Sequence, residues 1–525
     1  MPTINIDGVD LTVPTGTTVI QAAEMAGIYI PRYCYHPGLR IAGSCRMCLV
    51  EVEKLPGLQI ACNTLVQDGM KVITNSERVR QARRGMLEFL LSNHPLDCPV
   101  CDQSGECDLQ NYYMEFGRYR SRYFDNKTKR KKAFPIGPHV MLDQERCILC
   151  TRCVRFTEDV SKTHELGVFR RGHQSVIDLY PGRVLDNPYS GNVIDICPVG
   201  ALTESDFRFQ CRVWYLKEQH SICAGCARGC NISVHFNTDR RYKAQGRRVM
   251  RIKPRFHPEV NRWWLCDLGR FGYRYMDENR IEFSAEQRDG TKVDISFDEA
   301  LGKAAQLLRG TLEEYGPSAV GIIVSPRLSN EELWVCRKLF VEGLGLHQTA
   351  ALDPWERPGF EDDFLLKADR NPNRRAAELM GFKADARELL EKAAEGGIRL
   401  LYIVHQDFAA PEAAELLQKA PAVIYQGTNW TRTAQQADLI LAGAVHAEEE
   451  GTFTNFEGRV QRFFRCFAPI EESRDDLEIF RDLGQSLGVT VPESAATALK
   501  DWLGIDPDEI GEHGVLLSEL SQVEA

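Results

Sequence analysis

The sequence predicts a mixed α/β and α+β multidomain protein, with small metal-binding modules in its first half and a doubly wound α/β domain in its second. Three observations carry this. Sixteen candidate metal ligands fall into four groups of four before residue 267: Cys34/Cys45/Cys48/Cys62, His94/Cys98/Cys101/Cys107, Cys147/Cys150/Cys153/Cys197 and Cys223/Cys226/Cys230/Cys266. The chain opens as strand, turn, strand and helix. From about residue 290, strand-like apolar runs alternate with helical stretches, the rhythm of βαβ units and a largely parallel sheet.

In the opening segment, Thr3-Ile4-Asn5-Ile6 alternates like a strand, Asp7-Gly8 reads as a turn, and a second strand follows. Thr17-Thr18 then caps an apolar helix (Val19, Ile20, Ala22, Ala23, Ala26) closed by Gly27. That order suits a β-grasp ferredoxin over residues 1–78. An amphipathic helix from Val79 to Leu91 opens segment 79–118 and leads to His94. Residues 119–139 are basic (Lys127, Lys129, Arg130, Lys131, Lys132) and read as a solvated linker, with a docking surface for an acidic partner as the alternative. Segment 140–210 holds the third ligand group and 220–276 the fourth. In 277–525, runs at 319–324, 399–404, 422–425 and 438–442 read as strands, and 297–313, 330–343 and 411–419 as helices. Ser329-Asn330-Glu331-Glu332 is a capping box for one of them.

Composition narrows the function. A length of 525 residues suggests about three or four domains. The formal net charge of −10 argues against nucleic acid as the main partner, because phosphate binding needs a basic footprint. Eighteen cysteines fit either a secreted disulfide framework or a metalloprotein. The recurring C-x2-C and C-x3-C spacings and the lack of a signal-peptide apolar region favour metal and a reducing compartment. No apolar run approaches the roughly 18–20 residues of a membrane span, so membrane association is expected only through partners. Neither G-x-G-x-x-G nor a Walker A motif is present, and no catalytic residue is assigned.

The groups differ in chemistry. The first reads C-x10-C-x2-C-x13-C, with Gly43-Ser44-Cys45-Arg46-Met47-Cys48 letting backbone N–H groups approach sulfur, the logic of a [2Fe–2S] centre. The second is H-x3-C-x2-C-x5-C, a cysteine triplet lacking a fourth sulfur with His94 four positions ahead of it. The third follows from the two-cluster ferredoxin pattern, in which each C-x2-C-x2-C-x3-C-P run lends its last cysteine to the other cluster. Cys147, Cys150, Cys153 and Cys197 supply one complete set, while the other set's slots hold Thr157, Asn187, Ser190 and Val193. One [4Fe–4S] cluster is therefore expected to survive and one to be lost. The fourth group is C-x2-C-x3-C-x35-C. Structural zinc is the competing occupant of the first and fourth groups. Arg46, Arg146, Arg152 and Arg155 stand beside the ligands and offset thiolate charge, or are ordinary surface arginines. Cys211, Cys336 and Cys466 stand alone and read as structural.

The segment from Asn93 through Cys107 to Gln110, with Arg146–Phe156 and Gly191–Leu202, closely resembles the family of the G subunit of bacterial NADH–quinone oxidoreductase (respiratory complex I), whose mitochondrial counterpart is the 75-kDa subunit. Cys223–Asn231 resembles the [4Fe–4S] site that opens molybdopterin oxidoreductases. Leu268–Tyr273, Ser325–Glu332 and Glu450–Arg462 resemble pieces of a shortened molybdopterin-oxidoreductase domain. The resemblance implies one [2Fe–2S] cluster on the Cys34 group and three [4Fe–4S] clusters on the other groups. No molybdopterin is expected, because 277–525 is short for a domain cradling two pterins. It also implies an iron–sulfur electron-transfer subunit relaying electrons from an NADH/flavin subunit toward quinone reduction, with the Cys223 group apart from the main route. Its partners would be other peripheral-arm subunits, namely the flavin/NADH-binding subunit and the quinone-module subunits. Its place would be peripheral, on the cytoplasmic side of the bacterial inner membrane. Two readings compete: an electron-transfer subunit of an NAD-linked hydrogenase or formate dehydrogenase, and a zinc-bearing assembly hub.

Overall fold

A computed structural model describes residues 1–520 except 241 and 243. The chain divides into two units, Met1–Leu216 and Lys217–Ala525.

In the first unit, Asp7 and Gly8 both take positive φ (49° and 92°), as a tight two-residue hairpin requires. They join β1 (Thr3–Ile6) to β2 (Val9–Thr12). The capped helix α1 (Val19–Met25) follows. Gln21 Oε1 accepts from both Thr18 N and Thr18 Oγ1 at 2.9 Å, which satisfies the N-cap N–H in the manner of a capping box. Strands β3 (Leu49–Val52), β4 (Leu58–Ile60) and β5 (Met70–Ile73) complete a five-stranded sheet in the order β2-β1-β5-β3-β4, with β1 and β5 parallel. Ile4, Ile6, Val50 and Val72 pack against Val19, Ile20 and Ala23 beneath it. Cys48 and Cys62 belong to the same core, so the metal loop is pinned at its inner edge by hydrophobic burial.

Ser76 caps α2 (Glu77–Asn93), which delivers His94 at its C-terminal end. The basic segment is more than a linker. Lys127 Nζ donates to the carbonyls of Leu91 (2.6 Å) and Ser92 (3.2 Å), satisfying the last turn of α2, and Lys132 pairs with Asp97.

The second unit begins with an antiparallel sheet of Lys217–Ile222, Asn231–Phe236 and Val249–Pro254. Its first turn carries Cys223, Cys226 and Cys230. The remainder is built on a seven-stranded sheet. Five strands are parallel (Gln348–Ala350, Val320–Val324, Leu400–Val404, Val423–Gly427, Leu439–Ala442), and an antiparallel hairpin of Ser284–Arg288 and Thr291–Ile295 extends one edge. Alternate residues serve opposite faces. Ile322, Val324, Tyr402 and Val404 pack with Phe297, Leu308, Leu333 and Phe480, whereas Ile323, Leu401, Ile403 and Tyr425 pack with Leu389, Leu390, Ala413 and Leu417. A sheet buried on both faces explains why these strands read as continuous apolar runs. Ser329 and Glu332 form the capping box (2.7 and 3.1 Å), although the helix they start turns to π-type winding at Arg337–Gly343. Cys336 is fully buried in this core.

Candidate metal centres

In the first group, Cys34 N points at Cys45 Sγ (3.4 Å). The sulfurs interact as two pairs, Cys34 with Cys45 and Cys48 with Cys62. Their shared hydrogen bonds pull Cys34 below Cys45 and Cys62 below Cys48. All four therefore share one small volume, and Arg46 before Met47 takes positive φ (56°) to turn the loop around it.

His94, Cys98, Cys101 and Cys107 line one cavity together with Asp97, Arg146 and Gly200. Burial, reinforced by Arg146 and Lys127, lowers His94 to about 4, which leaves it neutral, the form that binds metal. Its Nδ1 is buried without a hydrogen-bond partner among the described residues. Gly200 closes the cavity, since a β-carbon there would overlap Cys101 Sγ. Cys98 is the exposed member of the set.

Cys147, Cys150, Cys153 and Cys197 line a second cavity. Burial pushes the thiols of Cys147 and Cys197 up to about 12, and that of Cys107 in the preceding group to about 11. Backbone groups counter this: Leu149 N donates to Cys147 Sγ at 3.4 Å, and hydrogen bonding with the backbone at Val199 and Leu202 lowers Cys197. Crowded, buried thiols aimed at by amide donors are poor thiolates alone and good ones around a cation. The donor sets therefore fit cysteine-ligated iron–sulfur clusters, and the orphaned His94 nitrogen fits a role as the non-sulfur ligand. At the slots of the other ferredoxin set, Thr157 and Asn187 are buried in a polar network: Asn187 Nδ2 donates to Glu165 Oε1 (2.8 Å), and Thr157's carbonyl accepts from Thr163 N (2.9 Å) and His164 N (3.0 Å). Ser190 and Val193 are fully buried.

Arg152 and Arg155 do more than offset charge. Arg155 Nη2 donates to the carbonyls of Cys34 (2.5 Å) and Cys150 (3.2 Å), and Arg152 donates to those of Tyr35 (2.7 Å) and Ile196 (3.0 Å). The two guanidinium groups thus staple the first ligand group to the third. The run after Cys197 meets the second group, because Pro198's carbonyl accepts from Asp108 N (3.1 Å) and Gly200 abuts Cys101. Arg146 binds Asp97 (3.1 Å) beside His94.

The fourth group lies in the second unit. Cys223, Cys226, Cys230 and Cys266 are all buried and interact with one another. Cys223 N donates to the Cys230 carbonyl (2.8 Å), closing the loop. Cys266 Sγ accepts from Gly269 N (3.4 Å) at the start of helix Asp267–Phe271. A β-carbon on Gly269 would stand 2.7 Å from Cys223 Sγ, so glycine is needed for this close approach. Three residues that matter here, Gly200, Gly269 and Lys127, do not stand out in the sequence. The glycines have one local signal, a small residue three positions after a ligand cysteine.

Family models match along the chain: a 2Fe-2S iron-sulfur cluster binding domain at 1–77, an NADH-ubiquinone oxidoreductase-G iron-sulfur binding region at 83–122 and a ferredoxin-like domain of NADH-quinone oxidoreductase subunit 3 at 137–203. A molybdopterin oxidoreductase Fe4S4 domain matches 216–278 and a molybdopterin oxidoreductase domain matches 368–486. The mitochondrial NADH-ubiquinone oxidoreductase 78 kDa subunit of Neurospora crassa is 34% identical, over 95% of this chain and 82% of its own length. The NADH-quinone oxidoreductase G subunit of Rickettsia felis is 30% identical, over 93% and 88%. A chain of an NAD+-reducing [NiFe]-hydrogenase is 32% identical over 40% of this chain and 91% of its own, with a TM-score of 0.37. Fold, donor sets and matched domains define an iron–sulfur protein with both 2Fe-2S and 4Fe-4S binding domains. Within that class, the chain belongs to the family of the NADH-quinone oxidoreductase G subunit and its mitochondrial 78 kDa counterpart.

Replacing His94 by Ala should disturb one [4Fe–4S] signal in the low-temperature paramagnetic spectrum and abolish nitrogen coupling on that signal. An unchanged spectrum would return His94 to an ordinary loop histidine.

Proposed function

We propose that this chain is the electron-carrying subunit that takes electrons from an NADH-oxidising flavin subunit and hands them to the quinone-reducing module of its complex. The Cys34 group would hold a [2Fe–2S] cluster, and the His94, Cys147 and Cys223 groups one [4Fe–4S] cluster each. Such clusters supply one-electron redox chemistry when bound; the protein supplies ligation, burial and spacing. The observation that carries the reading is the physical linkage of three donor sets in the first unit. Arg152 and Arg155 bond to the backbone of the first and third groups together, and the Pro198–Gly200 run touches the second. That supports an order Cys34 group, Cys147 group, His94 group. The Cys223 group, in a separate unit, suits a place off this route.

The ligand sets are thereby assigned to four of five segments, at 1–78, 79–118, 140–210 and 220–276, and none of the four groups falls in 277–525. No helix among the described residues is long and apolar enough to cross a membrane. Attachment through partner subunits on the cytoplasmic face of a bacterial inner membrane is consistent with this.

One two-iron and three four-iron centres require about 14 iron atoms and as many acid-labile sulfides per chain. Anaerobically purified complex, corrected for the iron of its other subunits, should approach that figure and contain no molybdenum bound to this chain. About 18 irons would mean that the second ferredoxin cluster is retained. Near-stoichiometric molybdenum would revive the formate dehydrogenase reading, and colourless, zinc-loaded protein would favour the assembly hub.

A further inference from the structure

Two positive charges are buried where the first and third ligand groups meet, and among the described residues neither has a carboxylate partner. Arg152 is 8% exposed and Arg155 4%. Their guanidinium groups bond only to neutral oxygens. Arg155 reaches the carbonyls of Arg40, Cys34 and Cys150 and the Thr151 hydroxyl (3.3 Å), and Arg152 reaches the carbonyls of Tyr35 and Ile196. The carboxylates of Asp108 and Asp159 feel the charges of Arg152 and Arg155 but stand beyond ion-pair distance from them. Asp159 pairs with Arg40 (3.4 Å) instead.

A staple made for hydrogen bonding alone would not need charge. A neutral amide donates to carbonyls too, whereas a buried cation without counter-charge is costly. Arginine cannot escape that cost by losing its proton. The ligand sulfurs supply the missing negative charge. Cys34 and Cys150 act on Arg155, and both arginines act on Cys150. Arg152 also lines the cavity of the Cys147 group, and its Nε is buried without a partner. A single nitrogen, Arg155 Nη2, holds the backbone of one ligand from each group, Cys34 at 2.5 Å and Cys150 at 3.2 Å. Its charge therefore belongs to both groups. Each electron that a centre takes up adds a negative charge, which a fixed nearby cation favours, and net charge around a cluster sets its potential.

We propose that Arg155 and Arg152 set the reduction potentials of the Cys34 and Cys147 centres jointly, with the Arg155 charge shared between the two. A shared charge lifts both centres together, so that neither becomes a trap for an electron held by the other. This rests on the reading of both groups as cluster sites, which iron content and the paramagnetic spectrum of the unmodified complex test separately. In the experiment, purified complex is poised at a series of potentials and the reduction of each centre is followed by its low-temperature paramagnetic signal. Arg155→Gln keeps a donor and loses the charge. At the wild-type midpoint its ratio of reduced to oxidised centre should fall about tenfold for both centres, a shift of about 59 mV for a one-electron couple. Arg152→Gln should move both centres in the same direction. Arg155→Lys keeps the charge and should hold both ratios within about twofold of wild type. The Cys223 centre, in the other unit, is the internal control and should not move. Equal falls in Arg155→Gln and Arg155→Lys would make bonding geometry the determinant and overturn the proposal. A shift in one centre alone, or in neither, also overturns it. If the glutamine variants fail to load their clusters, Arg155→Lys decides alone: both centres loaded at near-wild-type ratios uphold the proposal, and a larger shift or an empty site overturns it.

Discussion

Cys150→Ala should abolish NADH-to-quinone turnover even in complexes that assemble, while Cys226→Ala should leave turnover per assembled complex close to normal. The reason is position. Cys150 belongs to the group whose backbone is stapled to the Cys34 group through Arg155 and whose Cys197–Gly200 run abuts the His94 group. Removing its centre breaks the sequence in the middle. Cys226 lies in the other unit, in a loop buried between two strands of a small sheet. Metal sites contribute folding free energy, so its loss should appear as low recovery of assembled complex and earlier thermal release of the second unit. The measurement is turnover divided by assembled complex, with assembly quantified on native gels. If Cys226→Ala complexes assemble fully yet lose turnover as completely as Cys150→Ala, the fourth centre is in series with the others and the division of roles is wrong.

Gly200→Ala, a single added methyl, should remove the His94-group cluster while leaving the [2Fe–2S] signal intact. Gly200 is neither a ligand nor near that group in sequence, but a β-carbon there would overlap Cys101 Sγ and stand 3.1 Å from Gln103 Cβ. Overpacking a tight site costs about 1–3 kcal/mol, and here the displaced atom is a ligand sulfur. Gly85→Ala is the matched control. Gly85 lies in α2 with nothing within 4 Å of an added β-carbon, and alanine in a helix interior stabilises by roughly 0.5–1 kcal/mol. The Gly85 variant should keep every cluster signal and the Gly200 variant should lose one. Retention of the full spectrum in Gly200→Ala would show that the His94 site has slack the structure does not display.

Much of this protein is written locally. The hairpin at Asp7-Gly8, the capped helix after Thr18, the Ser329–Glu332 box and the apolar runs of the parallel sheet each follow from short-range rules: turn dihedrals, orphan N–H groups at helix ends, and burial on both sheet faces. The ligand groups are legible for the same reason. Metal geometry forces cysteines into short spacings, and the missing ferredoxin set can be counted off a fixed pattern. What tertiary structure alone decided is how the groups meet. Arg152 and Arg155 are ordinary arginines in the sequence; only folding brings residues 34 and 35 to their guanidinium groups. Lys127 reads as part of a solvated basic run until the carbonyls of Leu91 and Ser92 are found beneath it. Gly200 is one glycine among 41 until Cys101 arrives against its Cα. Local chemistry selects which residues can hold metal, turn or cap, because those demands act over a few bonds. Proximity between distant segments is set by how the cores pack, and no spacing along the chain encodes it.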